Sequence, residues 1–161
     1  MDAGPLPQVG IGMVIGLLEM LEDVRGKEDI FKLAGSLSME LDDIGPVIEA
    51  AKVLGFIETT NGDITLTGLG NQLLNANIDE RKEIVAGQLQ QLPAFKEILD
   101  LINSRRGRQV RREMVVDRFA RRMSDEDAEV LFKTLVDWGR YAGIIGYDTK
   151  GEILYLDEDG P

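Results

Sequence analysis

The sequence predicts a mainly α fold with small β-hairpins (α+β), built as two similar units in tandem. Three observations predict it. Apolar residues recur at helical spacing along most of the chain. The stretch "LGFIETTNGDITLT" (54–67) stops a helix at Gly55, then sets alternating apolar residues on either side of Asn61-Gly62, a strong hairpin turn signal. Its echo, "AGIIGYDTKGEILYL" (142–156), repeats the order of glycine, strand, turn ending in glycine, acidic residue and isoleucine. Gly55 to Ile64 is nine steps and Gly143 to Ile153 is ten, so the second turn reads one residue longer.

Residues 1–7, with Pro5 and Pro7, read as an extended lead-in. Val9, Met13, Leu17, Leu18 and Leu21 share a helical period, predicting a helix over 9–24. Gly10, Gly12 and Gly16 weaken it, and their expected use is close approach of a neighbouring backbone. A second helix is predicted over 28–37 with Ile30, Phe31, Leu33 and Ala34 inward. Asp42 is the expected N-cap of a third helix ending at Leu54, with Pro46 near its first turn, where a missing N–H costs least. The first hairpin follows, over 56–60 and 63–66, and Thr67 caps a short helix to about Asn75.

Asp79 opens a helix predicted over 80–91 and broken at Pro93. Further helices are expected over 94–103 and, after a basic loop around Gly107, over 111–123. Ser124 with Asp127 three residues on is a capping signature for a helix from Asp125 to about Ala142. Strands over 144–147 and 152–156 close the chain, and Asp157–Asp159 reads as a frayed tail. Three helices and a hairpin, twice over, describe two winged-helix units joined by a long helix. The first would occupy 1–76; the bridging helix and the second unit would occupy 77–161.

Composition narrows the function. Of 161 residues 43% are hydrophobic, enough for a core, and the net charge is −11. There is no Cys and no His, which removes disulfides, thiolate zinc sites, thiol nucleophiles, imidazole bases and any serine–histidine triad. Neither a catalytic residue nor a metal or cofactor site is assigned. The longest apolar run, Val9–Leu18, falls far short of the ~20 residues that span a bilayer and lacks the basic flank of a signal peptide. A cytoplasmic location is expected.

A winged helix usually offers its third helix to DNA. Here that helix carries Asp42, Asp43 and Glu49 against Lys52 in the first unit. In the second it carries Asp125, Glu126, Asp127, Glu129 and Asp137 against Lys133 and Arg140. Both would repel phosphate. Against this, Arg105, Arg106, Arg108, Arg111, Arg112, Arg118, Arg121 and Arg122 give residues 100–122 a net charge of +5 and leave −16 for the rest. Two readings stay open for them: a solvated face pairing with the acidic excess, or a docking patch for an acidic protein surface or an anion. No aromatic residue lies between Arg105 and Arg118 to stack a base. In "DWGRYAG", Trp138 and Tyr141 share a face and Arg140 sits where a helix end favours a cation. A structural anchor is preferred there to a ligand contact.

"GIGMVIG" (10–16) has one residue too many for a dinucleotide fingerprint and no strand before it. The sole Gly-Lys pair, Gly26-Lys27, precedes Glu28, so there is no P-loop. The acidic run 125–129 lacks calcium-loop spacing.

"VGIGMVIGLLEML", "EDIFKLAGSLSMELDDIGPVIEAAKVLGFIE", "ITLTGLG", "DERKEIVAGQL" and "LVDWGRYAGIIGYD" together resemble the AAA-associated C-terminal domain, over about Pro5 to Leu156. That domain follows the ATPase module of ABC transporters that import nitrate, sulfonates (taurine) or bicarbonate. The resemblance implies a regulatory or assembly role on the cytoplasmic face of the membrane, reached only indirectly through the transporter. It implies the ATPase module, transporter subunits and a second copy as candidate partners, and no nucleic acid. It carries no active site. The chain lacks the ATPase itself, so it reads as a piece of such a protein or a stand-alone relative. The rival readings are a small-anion sensor clamping its ligand with Arg140 or the Arg105–Arg112 loop, and a winged-helix transcription regulator.

Overall fold

The computed structural model describes residues 6–157. Most of the expected lead-in and of the tail Asp157–Asp159 lies outside the described residues. The fold is mainly helical with small antiparallel sheets. It divides into two compact units, Val9–Arg81 and the remainder, and the division falls inside a helix, between Arg81 and Lys82.

The first unit runs α1 (Ile11–Asp23), β1 (Lys27–Asp29), α2 (Ile30–Ser36), α3 (Leu41–Val53), β2 (Ile57–Thr60), β3 (Asp63–Leu66) and α4 (Gly68–Asn75). Helix α5 (Ile78–Leu89) contains the division. The second unit continues with α6 (Pro93–Asn103), β4 (Gln109–Arg111), α7 (Arg112–Ala120), α8 (Asp125–Tyr141), β5 (Ile145–Asp148) and β6 (Ile153–Leu156). Each sheet has three strands, ordered β1-β3-β2 and β4-β6-β5, so the last strand is central in both.

The two units repeat a set of backbone bonds. Each third helix ends on a glycine at positive φ, Gly55 (+85°) and Gly143 (+73°). Phe56 N–H donates to Ala51 and Ile144 N–H to Gly139, the bond that wraps up a helix C-terminus. Thr67 N–H donates to Phe56, as Asp157 N–H does to Ile144. Ile30 N–H donates to Gly62 at 3.0 Å, as Arg112 N–H does to Glu152 at 2.8 Å. These last bonds make Gly62 and Glu152 equivalent, and both have positive φ.

That equivalence corrects the alignment of the hairpins. Ile64 pairs with Thr59 and Glu28; its counterpart, pairing with Tyr147 and Val110, is Leu154 and not Ile153. The second turn is therefore two residues longer than the first. Matching by residue type placed the two isoleucines together. A one-residue slip exchanges the faces of a strand, and it is Ile64 and Leu154 that are buried.

Several helical details also differ from expectation. The buried stripe of α1 is Ile11, Val14, Leu17, Leu18 and Leu21, while Met13 is 51% exposed and Val9 precedes the helix. A stripe begun at Ile11 buries branched side chains in place of a flexible Met. An added Cβ at Gly10, Gly12 or Gly16 meets nothing within 4 Å, so no close backbone approach explains them. Asp29 caps α2 by accepting from Phe31 and Lys32 N–H, which turns Phe31 outward, 67% exposed. Only Leu33 and Ala34 of that helix are buried.

Helix α3 starts at Leu41, not after Asp42. Asp42 and Asp43 occupy its first turn, where the helix dipole favours them. Pro46 is well inside, so the Asp42 carbonyl lacks its usual helical donor. Asn77, not Asp79, caps α5: Glu80 N–H donates to Asn77 Oδ1 at 2.8 Å while Glu80 Oε1 accepts from Asn77 N–H at 3.2 Å. Thr67 and Ser124 cap α4 and α8 as their sequence context predicts.

The first unit packs Leu17, Leu18, Leu21, Leu33, Ile44, Leu54, Phe56, Ile64 and Leu73 in its core, all essentially solvent-free. The second packs Phe95, Ile98, Phe119, Leu131, Leu135, Trp138 and Leu154. Two glycines let elements touch. A Cβ on Gly70 would lie 2.3 Å from the Phe56 carbonyl, and one on Gly139 2.6 Å from the Ile145 side chain.

Candidate functional site

The arginine-rich segment begins where α6 ends. Ser104 closes that helix, its hydroxyl donating to the Leu101 carbonyl at 2.9 Å. The chain then turns through Gly107 and Arg108, both at positive φ, and enters β4. Strand β4 is three residues long, with Val110 buried and Gln109 and Arg111 exposed on the other face. Helix α7 follows with Val115, Val116 and Phe119 inward.

The eight arginines do not form one patch. Arg105, Arg106 and Arg111 line an open cleft of about 440 Å³ with Gln109, Met114 and Ile153. The Arg105 guanidinium also donates to the Met114 sulfur. Arg118 lines a second cleft, with Lys96, Glu97 and Asp100, of about 500 Å³. Arg108 and Arg121 are exposed.

Arg112 grips Glu129 with both terminal guanidinium nitrogens and stacks over the Phe132 ring, 5.0 Å from its centroid. Arg122 does the same with Glu97 and the Phe119 ring, at 5.6 Å. Those two arginines are structural. Among the described residues the other six make no ion pair. Pairing with the acidic excess thus accounts for a minority of the segment.

The Arg112 hydrogen bond holds the Glu129 carboxyl below its usual range, outweighing the desolvation that opposes it. Glu129 in turn holds the Arg112 guanidinium more firmly protonated. Burial raises the Tyr147 phenol, with Arg112 pulling the other way.

Trp138 is fully buried in α8 and belongs to the core. Tyr141 is half-buried one turn on, and Arg140 is exposed, its side chain making no hydrogen bond or ion pair among the described residues. The carboxylates of α3 (Asp42, Asp43 and Glu49) are exposed, as are Asp125, Glu126, Asp127 and Asp137 on α8.

In the first unit a cleft of about 410 Å³, at a different place on the sheet, is lined by Arg25, Lys27, Glu22 and Thr65. Its charges are mixed, and Lys27 pairs with Asp63 at 3.6 Å. Among the described residues the guanidiniums without an ion pair concentrate in the second unit. Sequence reasoning missed Gln109, Met114 and Ile153, because only strand pairing and helix packing bring them beside the arginines.

Among the described residues no group of three or more Asp or Glu is placed to hold a metal ion. No helix among them is long and apolar enough to cross a membrane. Comparison with curated proteins and with solved structures yields no match. A family model does match, over residues 31–148, from α2 to the end of β5. The chain belongs to the C-terminal AAA-associated domain family.

Proposed function

We propose that this chain is a non-catalytic regulatory domain of an ABC importer ATPase of the nitrate/sulfonate/bicarbonate class, acting by binding protein at the cytoplasmic face of the membrane. Family membership supports an association with an ATPase. The helix–strand–helix–helix–strand–strand order of each unit, with the last strand central, suits a winged helix turned to protein recognition.

The observation that carries the reading is a charge segregation. Six arginines with no carboxylate partner among the described residues stand on a chain whose net charge is −11. Unpaired guanidiniums on an acidic protein favour an acidic partner, here the ATPase module or another transporter subunit. The exposed carboxylates of α3 and α8 oppose entry into a nucleic-acid groove.

Titration of the chain into its cognate ATPase module tests this. Binding should weaken as salt rises and fall about tenfold or more in an Arg118→Glu, Arg121→Glu double variant. The chain alone should hydrolyse no ATP. ATP turnover by the pure chain, or duplex DNA binding that persists at physiological salt, overturns the reading.

A further inference from the structure

The register of the second sheet builds a platform next to the arginine cleft. Gln109 lies opposite Tyr155 and Arg111 opposite Ile153; on the far side Tyr155 lies opposite Gly146. Val110 and Leu154, between them, point into the core at 4% and 0% exposure. Gln109, Arg111, Ile153 and Tyr155 therefore share the outer face. Tyr155 is 42% exposed, and its ring lies against the backbone of Gly146. A Cβ there would sit 2.4 Å from the ring Cζ, so only glycine leaves room for the ring. The ring tip rests over Gly146, and the side chain stays partly open to solvent.

We propose that this face binds a nucleotide, with its phosphates on Arg105, Arg106 and Arg111 and its base stacked on Tyr155. Guanidinium forks match phosphate oxygens two at a time, and these three pair with no carboxylate among the described residues. An aromatic face stacks any base, because every base has a π-face. The cleft, at about 440 Å³, lies within the range of small-ligand sites. An acidic side chain would use the arginines but not the ring. In the first unit the positions equivalent to Gln109, Arg111, Ile153 and Tyr155 are Lys27, Asp29, Asp63 and Thr65, so the matching face carries two carboxylates and no aromatic ring. Binding makes and breaks no covalent bond.

The inference does not depend on protein docking, since its test uses the chain alone. Calorimetric titration of the full 161-residue chain with ADP is the experiment, with pyrophosphate and adenosine as separate ligands. ADP should bind more tightly than either. Tyr155→Ala and Arg111→Ala should each weaken ADP about tenfold. Tyr155→Phe, which keeps the ring, should bind ADP as the unaltered chain does, and Arg118→Ala, outside the cleft, should change nothing. Pyrophosphate binding should be insensitive to Tyr155→Ala. No ADP binding up to about 1 mM overturns the proposal. So does pyrophosphate binding as tightly as ADP, or an Arg118→Ala loss equal to that of Arg111→Ala.

Discussion

Arg112, the first residue of α7, and Glu129, in the second turn of α8, form a two-pronged ion pair under which the Phe132 ring lies 5.0 Å from the guanidinium carbon. The side chains are only 22% and 38% exposed, so water screens the pair less than it would a fully exposed one. Arg112→Ala is expected to cost about 1–2 kcal/mol, from the lost fork and the lost cation–π contact. Arg112→Lys should recover only part, because an ammonium cannot reproduce the fork. Urea unfolding read by the fluorescence of Trp138, the sole tryptophan and fully buried in this unit, measures both. Arg112→Ala unfolding at the unaltered midpoint would show the pair to be idle.

The same pair sets a pH dependence. The folded-state pKa of Glu129 is depressed, so the unfolded chain takes up the proton first as acid is added. The stabilisation is thus fully present above the ordinary Glu value, about 4.3, and is lost as pH falls through the folded value. The gap in unfolding midpoint between the chain and its Glu129→Gln variant should be constant near neutral pH and close below it. Tyr147 behaves in the opposite sense. Its raised pKa contributes stability below the ordinary Tyr value, about 10, that is lost as pH rises. A Tyr147→Phe variant should resist alkaline unfolding better than the unaltered chain.

Glycines separate into two kinds. Gly70→Ala would drive a Cβ into the Phe56 carbonyl, and Gly139→Ala would drive one into Ile145 and the Phe95 ring. Each is expected to destabilise by about 1–3 kcal/mol, the usual cost of overpacking. Gly16→Ala fills open space inside α1 and should stabilise by about 0.5–1 kcal/mol through helix propensity. Thermal unfolding by far-UV circular dichroism reads all three. The same sign for Gly16→Ala and Gly70→Ala would contradict the packing described here.

Thr67 joins the hairpin to two helices. Its hydroxyl donates to the Gly55 carbonyl at 2.7 Å and accepts from Gly70 N–H at 3.0 Å, so one side chain closes α3 and opens α4. Thr67→Val keeps the shape and removes both bonds, at an expected cost of about 1–2 kcal/mol. Thr67→Ser should retain most of the stability. Equal losses in the two variants would show that the methyl group, and not the hydroxyl, matters.

Much of the fold was legible locally. The caps made by Ser124 and Thr67 and the Asn61-Gly62 turn act within three or four residues, and the elements they bound appear where such signals put them. Phe31 was read as inward because it is apolar, but the Asp29 cap sets the start of α2 and so the direction of every side chain after it. Strands β1 and β4 left no trace in the pattern. Three mostly polar residues have no periodicity to read, and they become strands only because β3 and β6 offer them a free edge.

By itself, the sequence determined most of the helices, the charge segregation, the absence of imidazole and thiol chemistry, and the two helix-to-hairpin endings, because each depends on composition or on bonds between near neighbours. Only the tertiary structure decided which isoleucine matches which, which arginines are paired, and that Tyr155 lies across Gly146 beside Gln109. Those follow from strand register and helix packing, which bring distant residues together at spacings that no window along the chain contains.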